Sequence, residues 1–369
     1  MITEQEFVAE SLKYFEGDEL AANVFDKYAL KNKEGEVLES SPDVMHRRLA
    51  KEFARIEKKF GGERELSEEE IYSYLKNFKK IVPQGSPMYG IGNDFVNVSL
   101  SNCVVVPSPE DSISSIMESG KELANLFARR CGVGIDISTL RPEKAKVGNS
   151  AGTSTGAWSF ADFYSYVCRM IGQNNRRGAL MISMDVRHPD IEKFIVMKQN
   201  LEKVTGANIS IKINDEFMRA VEGDEEFELK FPVEATKPKY TKIIKANELW
   251  QLIIDSATKT AEPGLLMWDN IVNNLPAESY PGFKTVTTNP CIASDTLIAV
   301  ADGRNAVTIK QLALEGKDVP VYSVDPVSGR AQIKMGRNPR ITGDGQDLLR
   351  IYFEGGSYVT RLQIINFLC

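Results

Sequence analysis

The sequence predicts an α/β protein built on a covered, largely parallel sheet, with a helical region before it and a small all-β segment after it. Three observations carry this. Strand-like and helix-like segments alternate over residues 95–290, the pattern of βα units whose crossovers cover the sheet faces. Residues 1–80 show only helical periodicity between polar turns. After Cys291 the text changes to short strands separated by turns rich in Gly, Asp and Pro. Alternation by itself is compatible with a barrel and with a doubly wound sheet.

In order, helices are predicted at 4–13, 16–27, 43–59 and 67–78, the last two on apolar sets Met45, Leu49, Phe53, Ile56 and Ile71, Leu75, Phe78. Pro83-Gln84-Gly85-Ser86-Pro87 ends this region. Residues 96–106 predict a strand that alternates at Val96, Val98 and Leu100 and then turns continuously apolar, so that Cys103 falls where it enters the core. Asp111-Ser112 opens a helix with apolar residues Ile113, Ile116, Met117, Leu123, Leu126 and Phe127. A glycine-relieved strand at 131–137, a Gly/Ser/Thr loop at 146–157 and a helix at 158–171 follow. Residues 173–183 lead from a polar turn into a strand, a further strand is expected at 208–213, a hairpin at 226–233, and helices at 189–199, 215–222 (capped by Asn214) and 246–261. Beyond Cys291, strands are expected at 296–300, 306–309, 320–324, 331–336 and 347–353, with one short helix at 309–316.

The 369 residues suffice for one large or two medium domains. A net charge of -6 gives no support for general nucleic-acid binding, which calls for a basic surface. Neither a signal-peptide core nor an apolar run of about 18 residues is present, so no membrane association and a cytoplasmic location are expected. The five cysteines (103, 131, 168, 291 and 369) have no CxxC spacing and only two histidines accompany them, which indicates neither a zinc site nor a disulfide framework. Cys131 and Cys168 read as buried small hydrophobes. The loop at 146–157 can surround a phosphate with backbone and hydroxyl donors at a helix start, or be an ordinary flexible loop. Arg176 and Arg177 can meet a phosphate or base edge, or be solvated surface; His188, before a proline at a helix entry, reads as structural.

The chain carries, in order, Ser86-Pro87, Leu100-Ser101-Asn102-Cys103, Asp111-Ser112, Gly134-Ile135-Asp136-Ile137, Leu140-Arg141-Pro142 and Gly152-Thr153-Ser154-Thr155-Gly156, then Arg176-Arg177-Gly178-Ala179, His188-Pro189-Asp190, Phe217-Met218 and Thr288-Asn289-Pro290-Cys291. Taken together, these ordered motifs resemble the large catalytic subunit of ribonucleotide reductase over roughly 85–291. The helical preface and the Asn102-Cys103 context are most similar to the adenosylcobalamin-dependent class. The resemblance implies a ten-stranded α/β barrel with a central finger loop, in which a thiyl radical removes the ribose 3′-hydrogen and a cysteine pair reduces the 2′ position. It makes Cys103 the first of that pair and Asn289 the amide that hydrogen-bonds the substrate. Ser86, Ser101 and Asn102 fall near the substrate ribose and phosphates. Asp111 and Arg141 fall at the allosteric dNTP or ATP effector, and loops 146–157 and 173–181, with Arg176 and Arg177, link that site to the substrate base. Adenosylcobalamin, a thioredoxin- or glutaredoxin-type reductant and a homodimer are implied; a metal site within this chain is not.

The chain departs from that pattern after Cys291. The family continues Cys-Gly-Glu, with a carboxylate two residues on; here Ile292-Ala293 follows. The later text resembles the opening of an intein (Hint) segment: Cys291, Asp295-Thr296-Leu297-Ile298, Gly303, Ile309, Leu312 and Val321-Tyr322-Ser323-Val324-Asp325. That resemblance makes Cys291 the splicing nucleophile, attacking the Pro290 carbonyl. Tyr358-Val359-Thr360 approaches the place where a Thr-x-x-His motif is expected, but Arg361-Leu362-Gln363-Ile364 follows and no histidine appears, and neither a closing His-Asn pair nor a downstream Cys follows. The expected layout is a helical region 1–84, the first part of the reductase barrel 85–290, and an intein-opening segment 291–369, with the barrel incomplete and the chain inactive alone. A nucleotide-binding fragment without chemistry and an autoprocessing precursor are the alternatives. A Rossmann GxGxxG fingerprint is lacking.

Overall fold

Capping chemistry sets the helix starts of the N-terminal region. The computed structural model describes residues 2–62, 64–171, 179–200 and 203–289, and beyond them 297–299, 306–308, 315, 317–324, 331–336, 348–352 and 358–362. Thr3 and Glu6 form a reciprocal capping box at α1 (Glu4–Tyr14), as Ser67 and Glu70 do at α4 (Glu68–Leu75). Asp18 caps α2 (Glu19–Asp26), and Pro42 sits in the first turn of α3 (Pro42–Phe60). These helices enclose a core of Phe7, Phe25, Ala29, Met45, Leu49, Ala50, Tyr72 and Leu75. The buried stripe of α3 continues from Leu49 to Ala50 and Ala54. Phe53 and Ile56, expected in the core, are 44% and 38% exposed: the small alanines let the neighbouring helix approach, and the larger side chains face outward.

By internal contacts the chain divides into two compact units, Met1–Val104 with Ala124–Gly132 and Ile171–Gly178, and Val105–Leu123 with Val133–Met170 and Ala179–Cys369. Within the first unit the short helix α5 (Gly85–Gly90) packs its Met88 and the following Ile91 on the helical core. The strand expected over 96–106 is reduced to β1 (Cys103–Val105). Upstream, Ser99 and Ser101 hydrogen-bond their own backbone: Ser99 Oγ donates to the Ser101 carbonyl, and Ser101 Oγ to the Cys103 carbonyl. Such local bonds compete with a strand ladder. Cys103 is exposed rather than entering the core.

The second unit is organised on a parallel sheet. Its strands are β2 (Gly132–Asp136), β3 (Leu180–Asp185), β4 (Asn208–Ile213) and β7 (Gly264–Met267), in the order β1-β2-β3-β4-β7, with Val105 of β1 at one edge. β2, β3, β4 and β7 pair in parallel. The order advances without reversal, whereas a doubly wound sheet needs a switch point; it is consistent with an arc of a barrel. Connecting helices are α6 (Ile113–Ala128), α7 (Ala157–Met170), α8 (Ile191–Val196), α9 (Asp215–Glu222) and α10 (Ala246–Thr260), with α11 (Trp268–Asn274) after β7. Asn214 caps α9 as expected, accepting from the Phe217 amide at 2.9 Å. The hairpin is wider than expected: β5 (Glu226–Phe231) pairs with β6 (Tyr240–Lys245).

Past residue 289 the described strands form three antiparallel pairs: β8 (Leu297–Ala299) with β9 (Ala306–Thr308), β10 (Val319–Val324) with β11 (Ala331–Gly336), and β12 (Leu348–Tyr352) with β13 (Tyr358–Leu362). β13 was not among the expected strands. Of the expected helix at 309–316, only Glu315 lies within the described residues. No described helix is long and apolar enough to cross a membrane.

Candidate functional site

Two groups of predicted residues converge, one in each unit. In the first unit the Ser86 amide donates to Asn102 Oδ1 at 2.6 Å, so the start of α5 is tied to the residue before Cys103. The Asn102 carbonyl in turn accepts from the Gly132 amide at 2.7 Å, and the Arg129 carbonyl accepts from the Ser99 amide at 2.9 Å. Ser86, Ser101, Asn102 and Cys103 thus share one loop cluster. Ser86 is buried, while Ser101 and Cys103 are exposed to solvent.

In the second unit, strand alternation gives the sheet one apolar and one polar face although both are buried. Val133, Ile135, Ile182, Met184, Ile209 and Ile211 occupy one phase; Asp136, Ser183, Asp185, Ser210 and Lys212 occupy the other. Lys212 Nζ lies 2.9 Å from Asp136 Oδ2, and Ser183 Oγ donates to the same oxygen at 2.8 Å. The Asp185 amide donates to Ser138 Oγ, whose own proton goes to Asp136 Oδ2. Burial works against ionisation of Asp185, but the Arg187 fork and the nearby Lys212 charge outweigh it and hold its carboxyl below the ordinary range.

This polar face carries the strip Thr285–Asn289. Lys212 Nζ donates to the Val286 carbonyl at 3.2 Å, and the Thr287 and Ser183 hydroxyls are 2.7 Å apart. Gly134 permits the approach: a Cβ there would stand 2.5 Å from the Thr288 carbonyl oxygen. Along the strip three buried polar atoms, Thr285 Oγ1, Thr288 Oγ1 and Asn289 Nδ2, have no hydrogen-bond partner among the described residues. Buried polar groups are normally satisfied, so these are the open donors and acceptors of the site.

Asp111 and Arg141 are brought together with each other. Arg141 Nε donates to both carboxylate oxygens at 2.9 and 2.8 Å, its amide donates to Oδ1, and Nη1 donates to the Lys146 carbonyl. The hydrogen bond to Asp111 raises the Arg141 pKa further.

The loop at 146–157 does not offer a free helix start. Asp190 Oδ2 already accepts from the Ala157 amide at 2.8 Å, and burial raises the Asp190 pKa. A carboxylate therefore occupies the position a phosphate would take at α7. His188 is structural, as read: its Nδ1 accepts from the Asp190 amide, so Nε2 carries the proton given to the Leu140 carbonyl. Cys131 and Cys168 are buried, which raises both thiols, Cys168 to about 11. Arg176, Arg177 and Cys291 lie outside the described residues. Sequence reasoning missed Lys212, Ser183 and the role of Asp136; the signal was polar residues at period two inside buried strands.

A sequence model of the ribonucleotide reductase barrel domain matches residues 101–293, just over half of the chain. The chain belongs to the ribonucleotide reductase family. It is similar to a vitamin B12-dependent ribonucleoside-diphosphate reductase of Thermoplasma acidophilum, 32% identical over 254 residues, 67% of this chain and 32% of the relative. A protein of the same description from Mycobacterium tuberculosis is 30% identical over 272 residues, 72% of this chain and 37% of the relative. The ribonucleoside-diphosphate reductase large subunit of Caenorhabditis elegans is 28% identical over 189 residues, 44% of this chain and 24% of the relative. The chain spans about a third of the length of the first two reductases.

Proposed function

We propose that this chain carries the first part of a ribonucleoside-diphosphate reductase of the adenosylcobalamin-dependent kind, interrupted at Cys291 by the opening of an intein. The layout proposed is a helical region 1–84, reductase barrel 85–290 and Hint segment 291–369. The observation that carries it is the strip Thr285–Asn289, held on a buried polar face and ending in the Asn289 amide nitrogen, which has no hydrogen-bond partner among the described residues. In this reading Asn289 donates to the substrate ribose, while Ser86, Ser101 and Asn102 contact ribose and phosphates. Cys103 supplies one of two thiols: the C2′–OH bond is replaced by C2′–H, water leaves, and the two thiols become a disulfide. A thioredoxin- or glutaredoxin-type dithiol reopens it. Asp111 and Arg141, with Arg176 and Arg177, meet a dNTP or ATP effector, and the complete protein is a homodimer. Adenosylcobalamin, when bound, supplies the radical. Among the described residues no cluster of His, Cys, Asp or Glu forms a metal-ligand set.

The second thiol, and a carboxylate two residues after Cys291, have no counterpart in this sequence by the motifs above. Saturable binding of cytidine diphosphate and of a deoxynucleoside triphosphate is expected in calorimetric titrations, with no deoxycytidine product under dithiothreitol and adenosylcobalamin. Absence of all nucleotide binding, or formation of product, contradicts the proposal. The second reading, an autoprocessing chain, is favoured by Ala293 at the carboxylate position and the antiparallel hairpins beyond 296. It requires thiol-dependent cleavage after Pro290, seen by intact mass.

A further inference from the structure

Ser86 sits on a six-residue helix, too short to hold its own place. What fixes it is a buried guanidinium from the helical region. Arg48 Nε and Nη2 donate to the two oxygens of Glu39 at 2.6 and 3.1 Å, and their side chains are only 10% and 3% exposed. The other face of the fork reaches the far end of α5: Nη2 donates to the Met88 carbonyl at 2.8 Å, and Nη1 to the Ile91 carbonyl. Glu39 is itself fixed by the Leu30 amide at 2.8 Å. The start of α5 lies against the Tyr28 ring, where a Cβ on Gly85 would come within 2.7 Å, and Arg130 stacks on Tyr89 at 4.0 Å. Gly92, at φ +69°, leaves room for the Arg48 stem.

We propose that Arg48, locked by Glu39, is a positioning residue for the turn that presents Ser86 and Asn102 to the substrate. The proposal rests on the reading of those two residues as substrate contacts. Helix-end carbonyls have no partner within the helix, and a planar fork can join two of them to one carboxylate. A lysine has one nitrogen and cannot span all three acceptors. The helical region is thereby a working part of the nucleotide site: it sets where the Ser86 amide and the Asn102 carboxamide stand, and small displacements of such groups cost binding and rate steeply.

The test combines hydrogen exchange of the peptide covering 85–92 with titration of cytidine diphosphate into the full chain. Removing both charges together in the double variant Arg48→Met/Glu39→Leu avoids stranding one ion in the core. It is expected to exchange the 85–92 amides at least tenfold faster and to bind cytidine diphosphate about tenfold more weakly, with urea unfolding of the N-terminal helices little changed. Arg48→Lys, which keeps charge and bulk, is expected to fall between, and serves if the double variant does not fold. Wild-type exchange and wild-type affinity in a folded variant overturn the proposal. If the unsubstituted chain binds no cytidine diphosphate, the substrate reading fails, and the exchange experiment still decides whether Arg48 fixes the turn.

Discussion

Lys212–Asp136 and Arg141–Asp111 are ion pairs in the same unit at nearly the same distance, 2.9 and 2.8 Å, in opposite surroundings. The first is 9% and 3% exposed and shares its carboxylate with Ser183 and Ser138; the second is 32% exposed on each side. Distance alone would rank them equal. Burial separates them, because an ion deprived of its partner in the core has no water to replace it, whereas a surface pair is screened. The buried pair fixes backbone, the strip Thr285–Asn289. The exposed pair is an openable contact.

The sharpest way to break this contrast is to remove one buried charge. Asp136→Asn removes the charged hydrogen-bond partner of Lys212 and is expected to destabilise the second unit by about 3 kcal/mol, measured by urea unfolding followed through Trp268, whose ring lies 4.7 Å from Lys212 Nζ. Asp136→Leu with Lys212→Met is expected to recover most of that loss; a double variant as unstable as the single one would mean that the charges matter individually.

A buried group with no partner extends the comparison. His46 is fully buried, edge-on to Phe78, with neither ring nitrogen hydrogen-bonded. Burial lowers its pKa to about 4, against a smaller opposing effect of Asp43. The unfolded chain takes up this proton near pH 6.5, so the contribution is intact above that pH and is lost as pH falls toward 4. The change is about 3 kcal/mol over that window. His46→Leu should flatten the stability profile of the first unit between pH 6.5 and 4; an unchanged slope would locate the acid sensitivity elsewhere.

Gly134→Ala forces the strip off the sheet and should cost about 1–3 kcal/mol, again by urea unfolding. An unaltered midpoint would show that Thr288 yields easily. The smallest stability effect is expected at the exposed pair. Asp111→Asn should change stability by about 0–1 kcal/mol, yet weaken deoxynucleoside triphosphate binding in a calorimetric titration. Unchanged effector affinity would remove Asp111 from that site.

Legibility in the sequence followed the same divide. Periodicity located β4 and α9 to the residue, because buried strands and capped helices leave a pattern at their own period. The same logic misplaced 96–101, where Ser99 and Ser101 spend their hydrogen bonds locally, and Phe53, where alanines took the core positions. For the site, motif order points to Ser86, Asn102 and Asn289, but Lys212 and Asp136 form a pair only through β4 and β2, brought together by the sheet 76 positions apart. A lysine in an isoleucine-rich strand was legible as an oddity. Its partner was not, since long-range pairing leaves no local trace.

The proposed change of origin lies at one peptide bond, Pro290–Cys291. The decisive measurement is the coding sequence past residue 369. A His-Asn splice terminus followed by Cys-Gly-Glu and further barrel strands is expected there, with the second redox cysteine among them. A continuation holding neither a splice terminus nor further reductase sequence would contradict it.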